Sequence, residues 1–552
     1  MKLSLFAFWA GIGLYAAGCS YPAAANQSQP PLIPPAPQVF TPAQAQERFH
    51  QAIARSYLPD RSGHLFFMTP AYYPVMFVSG DYSLDGFSHI QGRRVYHEGN
   101  THGGIWHYDT EIPLFFYGPE RVKPGQILTD PATQQDLVPT YADLIKTEPP
   151  KDAIHGQVLS KAFVSPQKPP KAILTVVFDQ GGWQYYRAHP QSWPNIRKLI
   201  PQGTLYSQTR VTHVDAETAV GHIAIGTGAY PYQHGVISNN FFLGPIGQRS
   251  SLLGPERSPM FINSPSLADV WDLRTRNEAI IFSYAYADRA AIGMAGHGKL
   301  FGGGANGGGD EDIVFWYDGK TGRTTTNERF YEMPAYLKEH SMQPYLEQVL
   351  DKDKKWFEHD VNSFSGANYT PAQTRFDTDV FLKVLEKEAI GQDNITDLVY
   401  LTLKASDACG HAFGFESDEC QQTFAEQDTQ FQRILEAFEK KVGKGNYVLA
   451  LTADHGGGPL TSQAQGQVIK AEKIRAELNQ RFDKIDNGVE LFYDMLATQF
   501  YVDSAEMQRN QLSWEDLRQA LLNYRLNGKV IFEDVLTRPE VMKLQLEQGL
   551  VE

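Results

Sequence analysis

Three stretches of this chain are almost unbroken runs of apolar residues: Ala172 to Phe178, Asp397 to Leu403 and Tyr447 to Thr452. Continuous apolar runs of this length fit strands buried on both faces, as in a parallel sheet covered by helices. Segments of helical and strand-like patterning alternate around them: Pro194 to Ile200, Thr204 to Val211, Thr218 to Gly226, Ser266 to Leu273, Ala279 to Ser283, Gln373 to Ala389 and the amphipathic Gln421 to Val442. That alternation predicts a layered α/β fold. Upstream, the two apolar runs between His64 and Ser79 and the segment Ile112 to Gly118 read as strands, and Asp136 to Lys146 reads as a short helix. A Pro- and Lys-containing linker, Thr147 to Pro170, closes that early block, and the mixed, charged pattern from Ile469 to Glu552 reads as a cap.

Each buried run ends in chemistry. Ala172 to Phe178 is followed by Asp179, Asp397 to Leu403 runs into Asp407 and His411, and Tyr447 to Thr452 leads to Asp454 and His455. Open α/β sheets place their ligands at the carboxyl ends of the strands. Between them, Thr218 stands where a polar turn enters a small-residue helix, flanked by acids and imidazoles, and His102 lies in the early block. Singly these residues mean little, because an Asp after a strand is often a helix cap and a lone His is usually a satisfied core or surface group. Together, three carboxylates and three imidazoles on one rim suit a borderline divalent cation, zinc ahead of magnesium or calcium. The Gly-rich run from Gly302 to Asp312 lacks the Lys-Ser/Thr ending of a P-loop, so it reads as a surface loop with a solvated acidic turn.

With 552 residues, of which 42% are hydrophobic, the chain can bury a substantial core. A formal charge of −14 with no basic run argues against a nucleic-acid backbone as the main partner, so an anionic substrate must be held by local positive charge. The N-terminus has a basic residue, an apolar run from Leu3 to Ala17 and then Gly18-Cys19, which reads as an export signal rather than a membrane span. Ala16-Ala17-Gly18-Cys19 resembles a bacterial lipobox, so Cys19 is expected to carry a lipid that attaches the protein to a membrane of the cell envelope. The Pro/Ala/Gln-rich tract after it cannot bury a core and reads as a tether. Cys409 and Cys420 are read as one disulfide across a loop, slightly ahead of two reduced thiols, which also fit the sequence.

The segments VVFDQGGW with Asp179, ETAVGHIAIGTGAYPYQHGVISNN with Thr218 and Asn239, SDACGHAFG, LTADHGG and NTHGGIWHYDTEIPLFFYG resemble the alkaline phosphatase superfamily. The branches in question are the single-chain bacterial phosphatases and the nucleotide pyrophosphatase/phosphodiesterases. The resemblance implies an α/β sandwich with a mostly parallel central sheet, helices on both faces and a smaller α+β cap. It further implies two zinc ions, one on Asp179, Thr218, Asp454 and His455, the other on Asp407, His411 and His102. Thr218 would be the nucleophile of a phosphothreonine intermediate formed from a small phosphorylated substrate, with Asn239 and Arg289 on the phosphoryl oxygens.

Two departures from the family pattern matter. The His-Gly segment and its following strand, which the family carries near the C-terminus, come first here, as in a circular permutation. The expected division is therefore a signal at residues 1–19, a tether at 20–46, a permuted segment at 47–165 completing the catalytic core, the core itself at 171–468 and a cap at 469–552. Second, monoester-selective relatives have Lys-Asp-Arg where this chain has Ala287-Asp288-Arg289, leaving Lys299 or Arg323 as candidate replacements. Phosphomonoesterase is the first reading and phosphodiesterase or nucleotide pyrophosphatase the second. A sulfatase is disfavoured because Thr218-Ala219-Val220-Gly221 lacks a Cys/Ser-x-Pro-x-Arg context, and a non-catalytic surface lipoprotein because all seven candidate ligand positions are filled.

Overall fold

The computed structural model describes residues 33–35, 40–76, 101–165, 168–243, 248–251, 257–300, 312–496 and 498–551. Cys19 and the export signal, most of the tether and the Gly-rich run as far as residue 311 lie outside the described residues. No helix among the described residues is long and apolar enough to cross a membrane.

One nine-stranded sheet carries the fold. In chain order its strands are β1 Glu111–Tyr117, β2 Gln126–Thr133, β3 Ala172–Phe178, β4 Thr204–Arg210, β5 Ile281–Ala285, β6 Ile313–Asp318, β7 Arg323–Thr325, β8 Asp397–Leu403 and β9 Tyr447–Thr452. Across the sheet they lie in the order β7-β6-β5-β8-β3-β9-β1-β4-β2. The strands from β6 to β9 in that order are mutually parallel, β1 runs antiparallel to both its neighbours, and the edge strand β7 is antiparallel to β6. The three apolar runs form the middle of the sheet, and their residues alternate between two cores. Leu174, Val176, Phe178, Val399, Leu401, Leu403, Leu449 and Leu451 enter one cluster, whereas Ile173, Val177, Leu398, Tyr400, Val448 and Ala450 enter the other. The first cluster is covered by helices Pro371–Lys387 and Asp418–Val442, the second by Thr218–Thr227, Asp288–Ala295 and Leu137–Ile145. The sandwich with helices on both faces follows from that burial.

The early block divides between two bodies. Its strands β1 and β2 join the central sheet, but Leu65–Met68 pairs with Gln499–Val502 and Asp534–Thr537 in a separate four-stranded sheet of the C-terminal cap. That placement differs from an assignment of all of 47–165 to the core, and its cause is burial on both faces. Leu65 and Phe67 point into one apolar cluster of the cap, Phe66 and Met68 into another. The tether is also shorter than expected. A helix begins at Pro42, inside the 20–46 tract, because Thr41 and Gln44 form a capping box with Pro at the first helical position. This helix packs in one cluster with Val541 of the terminal helix Arg538–Glu547, with Ile105 and Trp106 after His102, and with Val214 ahead of Thr218. The cap thus braces two loops of the rim. Asp215, held at a positive φ of 53°, is fixed by Thr498 Oγ1 at 2.9 Å and Gln499 Nε2 at 3.1 Å.

In the core, Asp377 accepts hydrogen bonds from the Tyr284 hydroxyl at 2.6 Å and Gln373 Nε2 at 2.8 Å, and burial raises its carboxyl from 3.8 to about 7. Between those values the unfolded chain has released a proton that the native protein keeps, so this group makes stability fall as pH rises from about 4 to about 7. Asp377→Asn retains the acceptor oxygen and removes the titration. Its melting temperature should exceed wild type by at least about 2 °C at pH 8 and not at pH 4, measured by calorimetry at both pH values.

Candidate active site

Strand direction decides which loops meet. The parallel strands β3, β8 and β9 send their carboxyl ends to one edge, and β1, being reversed, starts at that edge. Thr452, the last residue of β9, lies opposite Leu114 near the start of β1. The loop ahead of β1 therefore carries His102 to the rim where β8 delivers Asp407 and His411. Backbone hydrogen bonds from Gly456 N to Asp109 O at 2.8 Å and from Asp215 N to Gly103 O at 3.0 Å hold that loop in place. Gly221, one turn into the Thr218 helix, lets that helix close on the end of β9, since a Cβ there would lie 2.6 Å from Asp454 O.

All seven expected ligands are drawn to this rim. His455 Nε2 lies 3.3 Å from Asp454 Oδ2 and 3.7 Å from Asp179 Oδ1. His102 Nε2 and His411 Nε2 lie 3.6 and 3.2 Å from Asp407 Oδ1. Asp407 and His411 share one helix face by their i, i+4 spacing in Ala405–Phe413, and a disulfide between Cys409 and Cys420 ties that helix to the next one. The imidazole tautomers are set by backbone carbonyls: His102 Nδ1 is 2.7 Å from Ala216 O and His455 Nδ1 is 2.8 Å from Gly456 O, so both Nε2 atoms keep their lone pairs for the rim. Thr218 is the first residue of its helix and is buried.

Three residues at the centre were not foreseen. Lys404, buried at the end of β8, places Nζ 2.8 Å from Asp179 Oδ2, 2.6 Å from Asp407 Oδ2 and 3.1 Å from Thr218 Oγ1. Gln180 binds Asp454 Oδ1 through its backbone N–H and Asp407 Oδ1 through its side chain. His222 approaches Asp454 Oδ2 at 3.2 Å, but its Nδ1 donates to Thr218 O and its Nε2 meets Thr402 Oγ1, so no lone pair is left for a metal. A charged residue closing an otherwise apolar central strand is the sequence signal that could have singled out Lys404.

Asn239 sits beside the nucleophile. Its Oδ1 accepts from Ala219 N at 3.0 Å, which fixes the amide orientation and leaves Nδ2 as the other end, while Glu217 accepts from Asn239 N at 2.5 Å. Arg289, the second residue of its helix, is near enough for its charge to oppose that of Lys404. Lys299 and Arg323 are engaged elsewhere, with Glu332 and Glu339, so neither emerges as the replacement cation.

Burial, reinforced by the charge of Asp454, pushes the Asp179 carboxyl well above the ordinary range. Burial also lowers His455 to about 3 and keeps it neutral. It opposes the charge of Lys404 too, yet Asp179 and Asp407 outweigh it and hold the ammonium protonated. Asp179 Oδ1, Asp454 Oδ2 and His455 Nε2 are buried and make no hydrogen bond. A tetrahedral ion with bonds near 2 Å spaces its ligands by about 3.3 Å, and both donor sets match that separation. Clusters of His102, Asp407 and His411, and of Asp179, Asp407 and His455, each bring their ligand atoms within 4.8 Å. The residues therefore fit metal ions.

A buried cluster of strand-end carboxylates, imidazoles and a presented hydroxyl defines a hydrolytic centre suited to holding cations. The sequence profile of the type I phosphodiesterase / nucleotide pyrophosphatase family matches residues 173–543, and the chain belongs to that family, within the alkaline phosphatase superfamily of phosphoric ester hydrolases. It is 24% identical over 470 residues to alkaline phosphatase PafA of Elizabethkingia meningoseptica, covering 72% of this chain and 83% of that one. It is 25% identical over 427 residues to a calcium-transporting ATPase of Myroides odoratus, covering 68% and 72%. The crystal structure of wild-type PafA superposes with a TM-score of 0.52 at 19% identity, over 68% of this chain and 85% of that chain, in agreement with the fold described above.

Divalent cations, zinc among them, should stabilise the protein. At about 1,000 times the dissociation constant the gain is about 4 kcal/mol, read as a rise in melting temperature that a chelator reverses. His455→Ala and Asp407→Asn should each remove at least half of that rise.

Proposed function

We propose that this protein hydrolyses phosphate monoesters at a centre that takes two zinc ions, with Thr218 as nucleophile and a phosphothreonine as the covalent intermediate. The observation that carries this reading is the position of Thr218 Oγ1, which shares the Lys404 ammonium with Asp179 and Asp407, one carboxylate from each donor set. The names of the relatives support it, because a phosphatase, a nucleotide pyrophosphatase and an ATPase have displacement at phosphorus in common.

Asp179, Thr218, Asp454 and His455 would hold one zinc, and Asp407, His411 and His102 the other. When bound, the pair supplies positive charge that lowers the pKa of the hydroxyl, neutralises the leaving oxygen and activates water. Thr218 Oγ1 attacks phosphorus in line, its bond to phosphorus forming as the bond to the leaving alcohol breaks. The Asn239 amide, turned by Ala219, and the Arg289 guanidinium are the donors for the equatorial oxygens, where transition-state charge gathers. Hydrolysis of the phosphothreonine returns Thr218 and releases phosphate.

A phosphodiesterase or nucleotide pyrophosphatase reading is favoured by two observations: the name of the matching family and the alanine at position 287. Two further expectations stand as proposals. The chain is permuted relative to its family, which is supported by a profile match that begins at residue 173 and by the seating of β1 inside the sheet. Export and lipid attachment at Cys19 rest on the N-terminal sequence, and the mass of the mature N-terminal peptide tests them.

Zinc-loaded protein should turn over p-nitrophenyl phosphate faster than bis(p-nitrophenyl) phosphate. Thr218→Ala should lower kcat/KM for both by at least about 1,000-fold while most of the bound zinc is retained. Turnover of neither ester by wild type would refute the reading, and faster turnover of the bis-ester would select the diesterase.

A further inference from the structure

Lys404 is a buried cation in contact with the presented hydroxyl, and its contacts divide two carboxylates in a specific way. Asp179 gives Oδ2 to the ammonium and keeps Oδ1, which makes no hydrogen bond, toward His455. Asp407 gives Oδ2 to the ammonium and keeps Oδ1 toward His102 and His411. Each acid thus offers one oxygen to Lys404 and the other to its own donor set, so the lysine and two metal ions can be accommodated together. The third contact, Thr218 Oγ1 at 3.1 Å, is the atom on which a phosphoryl group would arrive. Burial leaves the ammonium little freedom to be elsewhere.

We propose that Lys404 is a catalytic residue that faces the transferred phosphoryl group and gives the centre its preference for doubly charged esters. The proposal rests on the two-zinc phosphatase reading above. Two divalent ions and the Arg289 guanidinium against three carboxylates and the Thr218 alkoxide leave one net positive charge, which matches the single charge of a diester. Lys404 raises the net charge to two, which matches a monoester dianion. A fixed charge close to phosphorus in a water-poor site acts on both ground and transition states at a strength that bulk water would not allow. The cation missing at Ala287, after β5, is thereby supplied from the end of the neighbouring strand β8.

The test uses zinc-loaded full-length protein and the variants Lys404→Met, Lys404→Gln and Lys404→Arg. Neutral substitutions should lower kcat/KM for p-nitrophenyl phosphate by at least about 100-fold and for the bis-ester by no more than about 10-fold, so the ratio falls by at least about tenfold. Lys404→Arg should recover part of the ratio. Affinity for inorganic phosphate, measured by calorimetry in a Thr218→Ala background, should drop at least about tenfold on adding Lys404→Met, with bound zinc unchanged. An unchanged ester ratio and phosphate affinity, with tighter zinc binding, would overturn the proposal and leave Lys404 a counter-ion of the acids. If the neutral variants misfold, a crystal structure of wild type with zinc and tungstate decides: Nζ should lie within about 3.5 Å of a tungstate oxygen, and a separation beyond about 5 Å overturns the claim. If wild type turns over neither ester, the phosphatase reading fails, while phosphate affinity and the tungstate distance still judge Lys404 independently.

Discussion

Three aspartates, Asp179, Asp407 and Asp454, are buried at one edge of the central sheet, and the surrounding structure compensates for them. Unpaired carboxylates in an apolar interior are costly enough to be neutralised or matched with cations and hydrogen-bond donors. Here the compensation is local and complete on one side only. Backbone and side-chain donors from Gln180, the Lys404 ammonium and the N–H of His455 satisfy some of the oxygens, while Asp179 Oδ1 and Asp454 Oδ2 face the neutral Nε2 of His455 without a hydrogen bond. A fold that leaves such atoms bare at one point stores affinity for a cation there.

The same constraint accounts for the reversed strand. His102 belongs to a segment far from its neighbours in the chain, and it reaches Asp407 because β1 is antiparallel to β9 and so begins where β9 ends. The cap has a matching task. By packing Ile105, Trp106 and Val214 into one apolar cluster with the first helix, it clamps the His102 loop against the loop that leads to Thr218. Core, reversed strand and cap therefore act on a single set of donor atoms, and catalytic precision depends on that support.

Much of this was legible in the sequence. The central strands β3, β8 and β9 follow from uninterrupted apolar runs with the bounds expected, and the acids and imidazoles at their ends converge as strand-end residues should. The fate of Leu65–Met68 was not legible, because an apolar strand buried on both faces carries no mark of which sheet will pair with it. The helix at Pro42 was hidden by composition: a proline- and alanine-rich tract reads as a tether, yet Thr41 and Gln44 cap a helix within it. Lys404 escaped notice because attention to metal ligands passes over lysine, although a charge at the end of a buried strand has to find a partner. His222 was missed for the opposite reason, being an imidazole whose role is to support Thr218 and Asp454 rather than to bind metal.

The central claim is that segments far apart in the chain assemble one two-cation centre around Thr218. Anomalous diffraction at the zinc edge, from crystals of the zinc-loaded protein, tests it most directly. The account predicts two peaks, one bonded to Asp179 Oδ1, Asp454 Oδ2 and His455 Nε2, the other to Asp407 Oδ1, His102 Nε2 and His411 Nε2. A single peak, or peaks that leave His102 without a metal bond, would contradict it.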